Sequence, residues 1–106
     1  MIGSLTVTNE QYKLVVKKVD ATNPTKGLAG ARFHVESTNG SFSKDIVTGA
    51  DGTYTFSPLD AGTYAVTETA APNGYGIDNA GPEYVVLPNN GSSTVTITFT
   101  DTPTVT

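Results

Sequence analysis

Short stretches of alternating apolar and polar residues, separated by Asn-Gly or Asp-Gly dipeptides, run along most of the chain. The four dipeptides are Asn39-Gly40, Asp51-Gly52, Asn73-Gly74 and Asn90-Gly91. Such pairs favour tight turns, because both residue types tolerate positive φ. No stretch of a dozen residues has helical periodicity, so the pattern predicts an all-β sandwich or barrel. Seven strands are expected, near residues 13–20, 31–37, 42–47, 53–57, 62–69, 82–87 and 93–101.

The composition excludes several classes of function. A chain of 106 residues is long enough for one domain with one core. Its net charge is −4, and no basic cluster extends beyond Lys17-Lys18, so we expect no nucleic-acid partner. No apolar run approaches the roughly 20 residues of a membrane span, so we expect no membrane insertion of this segment.

Cysteine is absent, which excludes disulfides and thiolate metal sites. His34 is the single histidine. His34 is out of phase with its apolar neighbours and is expected at the surface. Zinc hydrolases and Ser-His-Asp enzymes need more histidine, or a histidine in a cleft. We therefore expect no metal, no cofactor and no enzyme, and a hydrolase of the transthyretin-like kind is disfavoured.

Three ionisable residues, Lys18, Glu68 and Asp101, each end a predicted strand on the face that carries its apolar residues. These apolar residues are Leu14 and Val16 for Lys18, Tyr64 and Val66 for Glu68, and Val95, Ile97 and Phe99 for Asp101. Side chains alternate faces along a strand, so all three ionisable groups should point into the core. Isolated buried charges are costly and rare unless paired. One amine and two carboxyls that meet in a core suggest a reactive site.

The two ends of the chain are alike, which suggests a module from a tandem array. Residues 6–10 (Thr-Val-Thr-Asn-Glu) resemble residues 98–102 (Thr-Phe-Thr-Asp-Thr), with Asn9 as the counterpart of Asp101. A chance match in a chain rich in Thr and Val is the alternative. We accordingly divide the chain into a linker or extension from a preceding repeat (1–11), a domain (12–103) and a C-terminal linker (104–106).

Three blocks of sequence carry a resemblance to a known family. They are Lys18-Val19-Asp20 with Gly27-Leu28-Ala29-Gly30-Ala31-Arg32-Phe33; Thr48-Gly49-Ala50-Asp51-Gly52-Thr53-Tyr54-Thr55-Phe56; and Val66-Thr67-Glu68-Thr69-Ala70-Ala71-Pro72-Asn73-Gly74-Tyr75 with Phe99-Thr100-Asp101-Thr102-Pro103. In order and spacing, residues 13–103 resemble a Cna-B-type domain, the stalk module of Gram-positive pilins and surface adhesins. The block around Glu68 is the most specific of the three.

The resemblance implies a sandwich of about seven antiparallel strands, of the prealbumin-like, inverse-immunoglobulin kind. It also implies a spontaneous isopeptide bond, with the Lys18 amine as nucleophile, the Asp101 carboxyl as acceptor and Glu68 as the proton-handling residue. Many family members carry Asn at the acceptor position. With Asp101 the leaving group becomes water instead of ammonia.

The chemistry fits residues of these types in a dry core. Apolar surroundings favour the neutral, nucleophilic amine, and two neighbouring carboxyls share a proton because both cannot ionise cheaply. A carboxyl can then move the proton from the amine to the departing hydroxyl. One alternative is an ion network of Lys18, Glu68 and Asp101 without a bond. Lys17 is the competing nucleophile, although its phase predicts a solvent-facing side chain.

The function that follows is a structural spacer of an extracellular, cell-wall-anchored pilin or adhesin. A bond from the first strand to the last would close a loop of about 80 residues and give mechanical, thermal and proteolytic resistance. The expected partners are neighbouring domains of the same surface protein, and the excised domain should be a monomer. The alternative is an adhesion module that binds a host protein or glycan through loops such as 72–82.

Overall fold

The structure is a computed structural model that describes residues 11–104, and within this range it is built from strands and turns without a helix. The strands are β1 (Tyr12–Asp20), β2 (Asn23–Gly27), β3 (Arg32–Ser37), β4 (Ser43–Val47), β5 (Thr53–Leu59), β6 (Gly62–Ala70), β7 (Tyr75–Ile77), β8 (Glu83–Leu87) and β9 (Thr94–Pro103). The described part of the chain therefore offers no helix that could cross a membrane.

The strands form two sheets. In the first sheet β1 is central: it pairs with β9 on one side and with β5 and β2 on the other, and β7 extends the sheet beyond β9. The second sheet has the order β4-β3-β6-β8, and all its pairs are antiparallel. The β1–β9 pair is parallel, and it joins the first strand of the domain to the last.

The core lies between the two sheets and is built from alternate residues of their strands. Leu14 and Val16 on β1 face Phe33 and Val35 on β3, and all four are fully buried. Phe33 also meets Phe99 of β9 edge to face, with ring centroids 5.0 Å apart. Edge-to-face aromatic pairs add roughly 0.5–1.5 kcal/mol beyond their burial. Strand alternation thus produces one continuous apolar layer that ties the sheets together.

The predicted all-β sandwich is confirmed, and each of the seven predicted segments contains a strand. Two short strands, β2 and β7, were not predicted. β2 is almost entirely exposed, so it has no buried face to produce an alternating pattern. β7 has only three residues, which is too short for an alternating pattern to be recognised in the sequence. The parallel β1–β9 pair departs from the expected antiparallel arrangement, because alternation does not encode strand direction.

The turn at Asp51-Gly52 packs against the backbone of β1. The Lys18 N–H donates to the Gly52 carbonyl oxygen at 2.7 Å. Gly52 has a φ of +82°, and a Cβ there would lie 2.6 Å from the Lys18 carbonyl oxygen and 2.6 Å from the Gly27 Cα. Glycine at position 52 therefore lets the turn approach the strand that carries Lys18.

The predicted linker 1–11 lies outside the described residues except for Gln11, whose side-chain amide donates to Asp60 Oδ1 at 3.1 Å. The likeness of residues 6–10 to residues 98–102 also falls on this part of the chain. The division into linker, domain and linker therefore remains a prediction.

Candidate functional site

The structure brings Lys18, Glu68 and Asp101 together between the two sheets. Lys18 comes from β1, Asp101 from its parallel neighbour β9, and Glu68 from β6 of the facing sheet. The Lys18 Nζ atom lies 2.6 Å from Glu68 Oε1 and in direct contact with Asp101 Oδ1. It also donates to the Thr100 carbonyl oxygen at 2.9 Å. All three ionisable side chains are 0% exposed, so solvent does not reach the amine.

The register of the strands explains this convergence. In the parallel β1–β9 pair, Lys18 lies opposite Phe99 and Asp20 lies opposite Asp101. Lys18 and Asp101 are thus two residues apart along the pair and share a sheet face, from which a long lysine side chain reaches the carboxyl. Glu68 pairs with Phe33 in the second sheet and faces Lys18 and Asp101 across the core.

Two aromatic rings line the Lys18 amine. Its Nζ atom is 5.9 Å from the centroid of the Phe33 ring and 5.7 Å from that of Phe99. The ring faces are apolar and exclude water, while their quadrupoles tolerate a cation within about 6 Å. The amine is therefore held in a dry site that places it against both carboxyls.

The electrostatics of the site favour an uncharged Glu68. Burial and then the neighbouring Asp101 carboxyl raise the pKa of Glu68, and Lys18 acts in the opposite direction, so that the net pKa is about 8. At pH 7 most of the Glu68 carboxyl is therefore protonated. This is the behaviour expected of two carboxyl groups that share a buried site.

Three buried carboxyl oxygens of the site have no hydrogen-bond partner. They are Glu68 Oε2, Asp101 Oδ1 and Asp101 Oδ2, and within residues 11–104 no other buried side-chain nitrogen or oxygen atom is in this state. Asp101 Oδ1 does contact the Lys18 amine. An unpaired buried polar group costs about 1–3 kcal/mol, and such groups in native structures mark strain or chemistry.

The other candidates from the sequence lie outside this cluster. Lys17 is half-buried on the opposite face of β1, as its phase predicts. His34 is partly exposed on β3, and its Nδ1 atom lies 2.7 Å from Asp45 Oδ1. No group of three or more potential metal ligands occurs in the part of the chain that the structure describes.

Sequence reasoning missed the Thr100 carbonyl oxygen and the two rings beside the amine. The carbonyl gives no signal in a pattern of side chains. Phe33 and Phe99 belong to the expected core, but their position at Lys18 depends on which strands pair, and alternation does not specify that. The pairings of β1 with β9 and of β3 with β6 would have been needed to reveal them.

Comparisons with known proteins place this fold in a family. The chain belongs to the family described as "SpaA: Prealbumin-like fold domain", which matches residues 12–103. Over 50 residues, 47% of this chain, it is 42% identical to the Serine-aspartate repeat-containing protein D of Staphylococcus aureus, strain Newman, and spans 4% of that protein.

Solved structures of pilins share the fold. The group B streptococcus pilus 2b backbone protein superposes with a TM-score of 0.74 at 26% identity, over 92% of this chain and 43% of that one. The full-length major pilin SpaD of Corynebacterium diphtheriae gives a TM-score of 0.75 at 22% identity, over 92% of this chain and 32% of that one, which shows the fold alone. This chain is therefore a structural domain of the kind found in Gram-positive pilins and adhesins, and it is not an enzyme.

Proposed function

We propose that Lys18 and Asp101 form an intramolecular isopeptide bond promoted by Glu68, and that the cross-linked domain is a spacer in a surface protein. The observation that carries this proposal is a fully buried amine in contact with one carboxyl and 2.6 Å from a second. Reacting groups held at contact distance gain much of the advantage of an intramolecular reaction. The reaction occurs once per molecule and is not enzymatic turnover.

The step balances as the condensation of an amine with a carboxylic acid. The neutral Lys18 Nζ attacks Asp101 Cγ, the N–C bond forms, and the C–O bond to the acid hydroxyl breaks. Protonated Glu68 donates its acid proton to the departing hydroxyl, which leaves as water. Its other oxygen accepts a proton from the attacking nitrogen, so Glu68 is protonated again at the end of the step. A site closed by Phe33 and Phe99 opposes the reverse hydrolysis, because bulk water is excluded.

The product also resolves the unfavourable burial of charge. The amide between Lys18 and Asp101 is neutral, and its N–H and carbonyl oxygen can both form hydrogen bonds. A protonated Glu68, favoured by its raised pKa, can donate to that carbonyl oxygen. The alternative, an ion network without a bond, retains charged groups in a dry core, where desolvation opposes the Coulomb attraction.

Intact mass measurement of the purified chain tests the bond. The wild type is expected to be one water lighter than its sequence mass, whereas Lys18→Ala, Asp101→Ala and Glu68→Ala should have their full masses. Lys17→Ala is the matched control and should still lose water. A wild type that keeps its full mass at neutral pH after folding would exclude the proposed bond.

The Asp101→Asn variant gives a sharper form of this test. The Asp101→Asn chain should lose ammonia where the wild type loses water. Because the departing group is no longer part of the product, the amide should be chemically identical in the two chains. The two folded chains should therefore have equal masses although their unreacted chains differ. If both chains lose water and keep their original mass difference, position 101 is not the acceptor.

The spacer role rests on the family and on the strands that the bond would join. Relatives of this chain are domains of larger pilin and adhesin proteins. We infer an extracellular, cell-wall-anchored parent protein whose neighbouring domains are the partners of this one. An amide is not cleaved by reductants, so it suits a chain without cysteine that is exposed outside the cell.

A further inference from the structure

One short segment, residues 75–80, hydrogen-bonds to all three strands that carry the proposed reacting residues. It comprises β7 and the three residues that follow it, and we call it the 75–80 segment. It follows Glu68 closely in sequence, within the loop between β6 and β8. Each of its hydrogen bonds to these three strands falls at, or within two residues of, Lys18, Glu68 or Asp101.

The contact with β1 is a hydrogen bond from Tyr75 to Asp20. The Tyr75 hydroxyl donates to Asp20 Oδ2 at 2.8 Å, and Asp20 follows Lys18 by two residues. Asp20 Oδ1 accepts from the Thr22 N–H at 2.7 Å and from the Thr22 hydroxyl at 2.6 Å. The hydrogen bonds from Thr22 and then Tyr75 lower the pKa of Asp20 to about 2, so this anchor is charged at neutral pH.

The contact with β9 surrounds Asp101. Asp78 Oδ2 accepts from the Thr100 hydroxyl at 2.8 Å, and Asp78 Oδ1 accepts from the Thr102 hydroxyl at 2.7 Å. These two threonines flank Asp101 on the opposite face of the strand. The β7–β9 pairing adds to this, since Ile77 lies opposite Asp101. One carboxylate thus holds β9 on both sides of the proposed acceptor.

The contact with β6 is made to Glu68 itself. The pairing of β6 with β8 reaches only Val66, opposite Glu83. The Glu68 N–H donates instead to the Ala80 carbonyl oxygen at 2.7 Å. Gly81, the next residue, packs so closely that a Cβ there would lie 2.8 Å from the Val66 carbonyl oxygen. The end of the segment therefore fixes the backbone of Glu68.

We propose that the 75–80 segment is a positioning clamp, which holds the strands of Lys18, Glu68 and Asp101 in the reactive arrangement before the bond forms. This inference rests on the proposed isopeptide function. Tyr75 and Asp78 are positioning residues, because their side chains do not touch the reacting atoms. Small displacements of reacting groups are costly, about 100-fold in rate for 1 Å, so a clamp at these strands should control the rate of bond formation.

The rate of water loss in refolding chains tests the clamp. The full chain is made by chemical synthesis, so that it is unreacted at the start, and is diluted from denaturant into neutral buffer. Samples are quenched at intervals and the fraction that has lost water is measured by mass. Folding is followed in parallel by circular dichroism, which separates slow folding from slow chemistry in the folded chain.

Position 102 offers a nearly isosteric set of variants. Thr102→Val removes the hydroxyl that donates to Asp78 and should slow water loss about 10- to 100-fold with folding unchanged. Thr102→Ser keeps the hydroxyl and should restore a rate near that of the wild type. Thr98→Val is the matched control, on the same strand and the same exposed face, and should react like the wild type.

Two further variants address the remaining contacts. Asp78→Ala removes both acceptors on β9 and should slow water loss at least as much as Thr102→Val. Tyr75→Phe removes only the hydroxyl that binds Asp20 and should also slow it, whereas Tyr54→Phe, which loses a hydroxyl bound to Lys44, should not. If Asp78→Ala does not fold, the three variants at positions 102 and 98 still decide the result.

The possible outcomes separate the clamp from the bond. If the wild type loses water and Thr102→Val and Tyr75→Phe lose it equally fast, the clamp is wrong and the proposed function stands. If Thr102→Ser is as slow as Thr102→Val, the hydroxyl is not the cause and the clamp is also wrong. If the wild type itself never loses water, the proposed bond fails and the clamp fails with it.

Discussion

At the scale of single residues, Glu68 combines deep burial with a short contact to an amine. Burial raises its pKa to about 8, from an ordinary value of 4.5. Its Oε1 atom lies 2.6 Å from Lys18 Nζ, while its Oε2 atom has no hydrogen-bond partner. A carboxyl that holds a proton at neutral pH beside a lysine is suited to proton transfer, because its pKa lies near the working pH.

The raised pKa of Glu68 predicts how stability depends on pH when the bond cannot form. In Lys18→Met the amine that lowers this pKa is absent, so the folded chain binds a proton at Glu68 more tightly than the unfolded chain does. Stability from this group is then fully present below about 4.5 and declines as pH rises towards the folded-state pKa, which lies above about 8 once the amine is gone. Urea unfolding between pH 4.5 and 8.5 should show the free energy of unfolding falling with pH.

The Lys18→Met/Glu68→Gln double variant is the control for this prediction. Glutamine has a similar size and does not titrate, so the decline assigned to Glu68 should disappear in the double variant. Equal slopes in the two variants would show that another group causes the pH dependence.

At the scale of secondary-structure elements, the turn before β5 sets the position of the strand that carries Lys18. A Cβ at Gly52 would approach the Leu28 N, the Gly27 Cα and the Lys18 carbonyl oxygen within 2.5–2.6 Å. These are all backbone atoms, which cannot turn away as a flexible side chain could. Any larger residue at position 52 must therefore move the turn or β1.

Gly52→Ala should consequently be much more destabilising than a change at a similar but open turn. Gly40, with a φ of +79°, is the matched control, because a Cβ added there would have no atom within 4 Å. Gly40→Ala should cost about 1–2 kcal/mol, from the left-handed backbone alone. On the Lys18→Met background, we expect Gly52→Ala to lower the free energy of unfolding in urea by more than this. In the otherwise wild-type chain, Gly52→Ala should also reduce water loss. Equal costs at the two positions would contradict the packing argument.

The predictability of the elements depends on whether each has a buried face. The phases of β1, β6 and β9 were sufficient to predict that Lys18, Glu68 and Asp101 point inward, because their apolar neighbours define the buried side. β2 gave no such signal, since its polar residues are almost all exposed. The contacts of Asp78 were also hidden, because Thr100 and Thr102 look like any solvent-facing residues of a strand until the neighbouring strand is known.

At the scale of the whole molecule, the parallel pairing of β1 with β9 determines how tension would pass through the domain. Tension enters β1 at its N-terminal end and leaves β9 at its C-terminal end, so it shears the two strands along their length. The proposed Lys18–Asp101 bond lies near the C-terminal ends of both strands. With the bond, the covalent path runs from Tyr12 to Lys18 and from Asp101 to Pro103, and the rest of the domain carries no tension.

Single-molecule extension should therefore distinguish the cross-linked from the open domain. Pulled from both termini, Glu68→Ala should unfold with a gain in contour length that includes residues 19–100, roughly 280 Å for about 80 residues. The wild type should not release this length at any force below that which breaks covalent bonds, and reductant should make no difference because the chain has no cysteine. Lys18→Met is the control for the bond itself and should extend as Glu68→Ala does. A wild-type domain that releases the same length as these variants would mean that the first and last strands are held by hydrogen bonds alone.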